Sequence, residues 1–94
     1  MRSQPLLAAR ILRTDLETTR FGMATGRALG SAVVRNRVRR RIRAAVREMA
    51  PSIQPGWDVL LIARPALIGA DHDTLVKTLR RLLARGGVVG GGKA

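Results

Sequence analysis

From Ala32 to Met49 apolar residues recur every three or four positions, and at about 100° per residue Val34, Val38, Ile42, Ala45 and Met49 fall within one narrow arc. Asn36, Arg39, Arg40, Arg43 and Arg47 take the opposite side. Arg35, Arg37 and Arg41 flank the apolar stripe, where their stems can cover it while their heads reach solvent or ligand. The pattern predicts an amphipathic helix over 32–49, with Ser31 as its N-cap and Pro51 just past its end.

Upstream the period changes. Leu6 to Arg13 is a short apolar run after Pro5 that reads as a strand, although its length also fits a helical turn. Thr14 to Thr19 reads as a loop. Arg20 to Arg27 reads as a second strand, with Gly22 and Gly26 marking places where the backbone can bulge or be approached closely. Downstream, Pro55-Gly56 makes a turn, and the unbroken apolar run Trp57 to Ala63 has the pattern of a buried central strand. Pro65 to Ala70 leads to a last helix ending near Arg85, capped by Asp71 or Asp73. Leu75, Leu79, Leu82 and Leu83 share one side of it, with Lys77, Arg80 and Arg81 away from them. Gly86-Gly87 ends that helix, so residues 1–87 read as one domain and the glycine-rich 88–94 as a disordered tail.

The order strand, strand, helix, strand, helix specifies an α+β or small α/β fold: one sheet with a basic helix and a C-terminal helix packed on it. If the strands flanking the basic helix pair in parallel, a right-handed crossover is the general rule. Ninety-four residues leave no room for two independent cores. With aromatic residues limited to Phe21 and Trp57, aliphatic side chains must build the core.

Charge changes the picture most. Seven of the thirteen residues from Arg35 to Arg47 are arginine and none is acidic, within a chain of net charge +12. Glu48 is the only acid beside this run, so ion pairs within the helix cannot neutralise it, and like charges at Arg39–Arg43 and Arg43–Arg47 oppose helix formation. The missing counter-charge points to a polyanion, and the planar guanidinium suits phosphate. A solvated helix face is the bland alternative. Asn36, between two arginines, can donate and accept at once, either to a base edge or to a local backbone group.

No pattern here is catalytic. Ser31 and the threonines have no histidine base in a recognisable motif, and no carboxylate pair has spacing for acid–base work. His72 sits between Asp71 and Asp73, but three adjacent residues do not converge as metal ligands, so a helix-capping region with a solvated histidine is expected. The terminal Gly-Gly-Gly-Lys lacks the strand–helix setting of a phosphate loop. No cysteine is present, which suits a reducing cytoplasm, and no apolar stretch approaches a membrane span or a secretory signal. Phe21 and Met23 share one side of the second strand. They are either ordinary core or a surface on which a single-stranded base stacks.

The passage from Arg20-Phe21-Gly22-Met23 through Gly30-Ser31-Ala32-Val33-Val34 to Arg35-Asn36-Arg37-Val38-Arg39-Arg40-Arg41-Ile42-Arg43 closely resembles the protein component of bacterial ribonuclease P. Arg35, Asn36, Arg37, Arg40 and Arg43 match that family's Arg-Asn motif, and Arg39 stands where lysine is usual. Gly56 to Pro65 resembles the family's next strand and its exit, so the likeness covers about residues 20 to 85. Met23 replaces a frequent aromatic, and Gly26 and Ala28 replace the usual serine and second basic residue. The helix that usually precedes the family's first strand is not found after Met1.

The resemblance implies a ribosomal protein S5 domain 2-like fold with a left-handed βαβ crossover, against the right-handed rule. It also implies a cytoplasmic subunit of ribonuclease P, whose partners are the catalytic RNA and precursor tRNA and which assists endonucleolytic removal of the tRNA 5′ leader. The RNA is then the catalyst, magnesium belongs to the RNA, and the protein carries no catalytic or metal residue of its own. Arg35, Asn36, Arg37, Arg39, Arg40, Arg43 and Arg47 are the expected RNA contacts, and Phe21, Met23 and Arg27 the candidates for the leader cleft. The rival readings are a ribosomal or general structured-RNA-binding protein without a processing role, and a DNA-binding protein whose basic helix enters a groove. The second lacks a preceding helix at helix-turn-helix spacing.

Overall fold

A computed structural model describes residues 2–89. Four strands, β1 (Arg2–Ser3), β2 (Leu7–Arg13), β3 (Arg20–Ala24) and β4 (Trp57–Ala63), are joined by two long helices, α1 (Ala32–Met49) and α2 (His72–Gly86). They form one sheet in the order β1-β2-β4-β3. β2 runs antiparallel to both β1 and β4, whereas β3 and β4 are parallel. A parallel pair needs a long crossover, and α1 is that crossover. The result is the small α+β architecture that the sequence specifies.

The register assigns each side chain to a face. Ile11, Val59 and Phe21 lie in one cross-strand row and Ala9, Leu61 and Met23 in the next, both on the face that the helices cover. Arg10, Leu60 and Gly22 share a row on the opposite face, as do Leu12, Asp58 and Arg20. β4 is therefore central, with partners on both sides, but only one of its faces is covered: Val59 and Leu61 are buried while Leu60 is exposed. The expectation from its unbroken apolar run is corrected on that point. The other face is an open trough lined by residues such as Leu12, Leu60 and Arg10.

α1 lays Val38, Ile42, Ala45 and Met49 into the core, and α2 adds Leu75, Leu79, Leu82 and Leu83 beside them, in a single apolar cluster with β2 and β4. Burying each such leucine contributes roughly 1.5–3 kcal/mol, so the leucines of α2 are a major part of the core. Gly87 ends α2 with φ +84°, a left-handed conformation that glycine adopts without a Cβ penalty, and its amide donates to Ala84 and Leu83 carbonyls.

Three boundaries differ from the sequence reading. β3 stops at Ala24, where its pairing with Ile62 ends, and Arg27–Leu29 form a 3₁₀ turn that buries Leu29. Ahead of β2 the described residues form β1, which pairs with Ala8 and Ala9, and no helix. Val88 and Val89 are core residues, not the start of a tail. The Val88 amide donates to the Leu83 carbonyl at 2.9 Å, Gln54 N–H donates to the Val88 carbonyl at 2.7 Å, and Val89 bridges to Ile53. Burial of two valines outweighs the glycine-rich context. The remainder of the expected tail, residues 90–94, lies outside the described residues.

Candidate nucleic-acid interface

α1 starts where the chain leaves the 3₁₀ turn through Gly30, and the Ser31 hydroxyl caps it by accepting from the Val34 amide at 3.3 Å. Its apolar stripe docks on the sheet, which aims the opposite side outward. Asn36, Arg40, Arg43 and Arg47 are exposed there and Arg39 is half-buried. Val33, Asn36, Arg39, Arg40 and Arg43 line a depression of about 460 Å³, and Arg47 lies outside it. Arg39 Nη1 donates to Asn36 Oδ1 at 3.4 Å, so the Asn36 carbonyl is held within the helix while its amide nitrogen remains available to donate. Neither sequence expectation for Asn36, a base edge or a backbone partner, describes that contact.

Arg37 is exposed and Arg35 half-buried in the first turns of α1, where unpaired amides and the helix dipole add to the positive potential. Arg41 departs from expectation. Its guanidinium does not reach outward: Nη1 donates to the Leu67 carbonyl at 2.9 Å and Nη2 to the Ala70 carbonyl, clamping the turn ahead of α2. Val33, 66% exposed among the arginines, was missed by the sequence reading. Its angular position on the basic side of the helical wheel is the signal that could have found it.

The charge on α1 has no internal counterweight. Among the described residues the salt bridges are Arg20–Asp58 and His72–Glu48. Glu48, the only acid of α1, is turned to His72 Nε2, so the expected solvated histidine is a link between the two helices. Arg20 grips Asp58 through two hydrogen bonds, of 2.8 and 2.7 Å, on the far side of the sheet. That contact holds the Asp58 carboxyl below its ordinary pKa, chiefly by hydrogen bonding and then by charge, and raises that of Arg20. Asp71, the observed cap of α2, accepts from the Thr74 amide at 2.8 Å, and hydrogen bonding from Thr74 lowers its pKa. With Asp58, Asp71 and Glu48 engaged in this way, no group of three or more His, Asp or Glu among the described residues is placed to hold a metal.

Phe21 and Met23 are half-buried, packed on the core, and open on one side. With Ile42, Arg43, Val46, Arg47 and Leu61 they line a cleft of about 190 Å³ between β3, an edge strand, and α1. Phe21 and Val46 continue into a second hollow of about 390 Å³ beside the Thr18–Thr19 loop. Arg43 borders both the cleft and the depression on the outer face, so the two surfaces meet at that residue. Arg27 is exposed on the 3₁₀ turn and lines neither hollow. Val46 belongs to the cleft and was missed, because only the α1 crossover brings it against Phe21. No described helix is long and apolar enough to cross a membrane.

The arrangement can hold a polyanion on one side of α1 and receive an unpaired strand, flanked by two guanidinium groups, on the other. The family model described as Ribonuclease P matches residues 2–87. The fold superimposes on the ribonuclease P protein of Thermotoga maritima with a TM-score of 0.81 at 25% identity, over 88% of this chain and 79% of that one. A Staphylococcus aureus ribonuclease P protein mutant, described as defective in mRNA degradation, shares the fold with a TM-score of 0.82 at 23% identity, over 92% and 73% of the respective chains. No match is found among curated protein sequences.

Proposed function

Because this chain belongs to the ribonuclease P protein family, whose model spans residues 2–87, we propose that it binds the catalytic RNA of that ribonucleoprotein through α1 and assists removal of the 5′ leader from precursor tRNA. The observation that carries the reading is the exposed cationic face of α1, with no acid opposing it among the described residues, meeting an aromatic-floored cleft at Arg43.

On this reading Arg40, Arg43 and Arg47 neutralise phosphates of the catalytic RNA, and Arg35, Arg37 and Arg39 extend the contact around the start of α1. The Asn36 amide donates to a backbone oxygen or a base edge. Phe21 and Met23 floor the cleft for the single-stranded leader, stacking against a base while Arg43 and Arg47 hold its phosphates. Arg27 reaches the leader only beyond the cleft. Magnesium is assigned to the RNA, which catalyses the hydrolysis. The contribution of the chain is to offset phosphate repulsion and to fix the position of the substrate.

The test is the double variant Arg40→Ala/Arg43→Ala in the full chain. Its affinity for ribonuclease P RNA should fall, and the slope of log affinity against log salt should flatten by about two units, one per lost phosphate contact. Thermal melting should be unchanged. Unaltered affinity across the salt titration rejects the assignment of that face. Reconstitution with the catalytic RNA at low magnesium separates the processing role from general RNA binding, because only the former restores cleavage of precursor tRNA.

A further inference from the structure

α2 carries cations that the reading above leaves unused. Lys77, Arg80, Arg81 and Arg85 are all exposed, and neither salt bridge among the described residues involves them. At about 100° per residue they fill an arc of about 140°, centred opposite the buried Leu75, Leu79, Leu82 and Leu83. Lys77 and Arg81, and Arg81 and Arg85, stand four residues apart, a like-charge arrangement that opposes helix formation. Asp73 is the only acid within α2. The buried leucines hold the helix in place despite this repulsion.

Both helices cover the same face of the sheet. Phe21 and Met23 of that face meet Ile42 and Val46 of α1, while the position of a Gly86 Cβ at the end of α2 abuts Ile11 of the same face. Their outward sides therefore belong to one layer. Two contacts fix the helices relative to each other: the Arg41 clamp on the Leu67 and Ala70 carbonyls, and the Glu48–His72 link. Packed helix axes lie about 8–10 Å apart, and Lys77 to Arg85 spans about 12 Å of helix, so one polyanion backbone can cross from one array to the other.

We propose that the cationic arc of α2 is a second phosphate-contact surface, continuous with α1 and engaged by the same RNA. The inference rests on the reading of α1 as the RNA-binding helix and extends it. The chemistry of the two arrays differs. α1 has Asn36, whose amide can read a base edge, and the aromatic cleft beside it. α2 contains no Asn, Gln, Phe, Tyr or Trp, and its His72 is engaged by Glu48. Its contacts are with the sugar–phosphate backbone, and they position the RNA without regard to base identity.

The experiment replaces Lys77, Arg80 and Arg81 by glutamine, a good helix former, in the full chain. Arg85 is retained because a cation in the last turn also stabilises the helix dipole. Binding to ribonuclease P RNA is measured across a salt titration beside an Arg40→Gln/Arg43→Gln control, with thermal melting of every protein. The triple variant should melt like the parent and lose at least tenfold in affinity. Its salt slope should flatten by about two to three units, with an equal proportional loss on an unrelated duplex RNA. If melting shows loss of fold, the single variant Arg81→Gln carries the same test, with a slope change of about one unit. An unchanged slope in the α2 variants together with a weakened control overturns this proposal and leaves the α1 assignment standing. Unchanged binding in both overturns the two together.

Discussion

Arg41 of α1 donates from Nη1 to the carbonyl oxygen of Leu67 at 2.9 Å, and the same guanidinium reaches the Ala70 carbonyl. In a helix whose other arginines face outward, this one holds the fold together. Charged hydrogen bonds of this kind contribute about 1.5–3 kcal/mol each, so Arg41→Ala should destabilise the protein by roughly 2 kcal/mol or more. At about 4–8 °C per kcal/mol for a domain of this size, Tm should fall by about 10 °C. Arg41→Lys should not restore it, because one ammonium cannot reproduce the fork. Arg40→Ala, at an exposed position, should stay within about 0.5 kcal/mol of the parent. Equal melting temperatures for the Arg40 and Arg41 variants would remove Arg41 from this role.

The Ser31 cap makes a second separable prediction. Ser31→Ala leaves the Val34 amide without its side-chain acceptor and should cost about 1 kcal/mol, read from chemical denaturation. Ser31→Asp keeps an acceptor at the positive end of α1 and should retain that stability. A loss of the same size in both variants would mean that Ser31 acts through something other than its hydroxyl oxygen.

The extent to which the sequence disclosed this arrangement follows from the range of the interactions. α1 is read correctly because its stripe and cap are local, and its basic face follows from the same periodicity. The cleft is not local. Phe21 and Met23 alternate visibly along β3, but Val46, Arg43 and Arg47 reach them only through the crossover. Arg41 resembles its neighbours in sequence, and the carbonyls that claim it lie 26 and 29 residues downstream. The apolar run of β4 cannot tell a face covered by helices from one left open. The valines after Gly87 look like tail until Ile53 and Gln54 are placed beside them.

Acid should destabilise the fold through Asp58 and Asp71, both of which have pKa values lowered by hydrogen bonds in the native state. A depressed native pKa contributes stability above the ordinary carboxylate value, and that stability is lost as pH falls through the native value. The window therefore lies below about pH 4. Tm followed from pH 6 to pH 2 should show this acid limb, and Asp58→Asn should make it shallower. Because the Asp58 and Arg20 side chains are 31% and 64% exposed, added salt should shrink their part of the difference. An acid limb identical in parent and variant would assign acid sensitivity to other groups.

Gly86, in the last turn of α2, faces Ile11 so closely that a Cβ there would collide with Ile11 Cδ1, while Cγ1 and Cγ2 would stand at 3.5 and 3.6 Å. Two opposing effects meet at this position. Replacing a helical glycine by alanine contributes up to about 1 kcal/mol, and forcing a methyl group into a packed site costs about 1–3 kcal/mol. Gly86→Ala alone should therefore be close to neutral, its helical gain offset by turning aside the terminal methyl of the half-buried Ile11. Ile11→Val deletes only the colliding methyl, at a cost of roughly 0.5–1.5 kcal/mol. In that background Gly86→Ala should become stabilising, because the alanine occupies the vacated space and the helical preference is left unopposed. A double-mutant cycle by urea unfolding should give a coupling of about 1 kcal/mol in favour of the double variant. If Gly86→Ala has the same effect in both backgrounds, the approach of Ile11 does not set it.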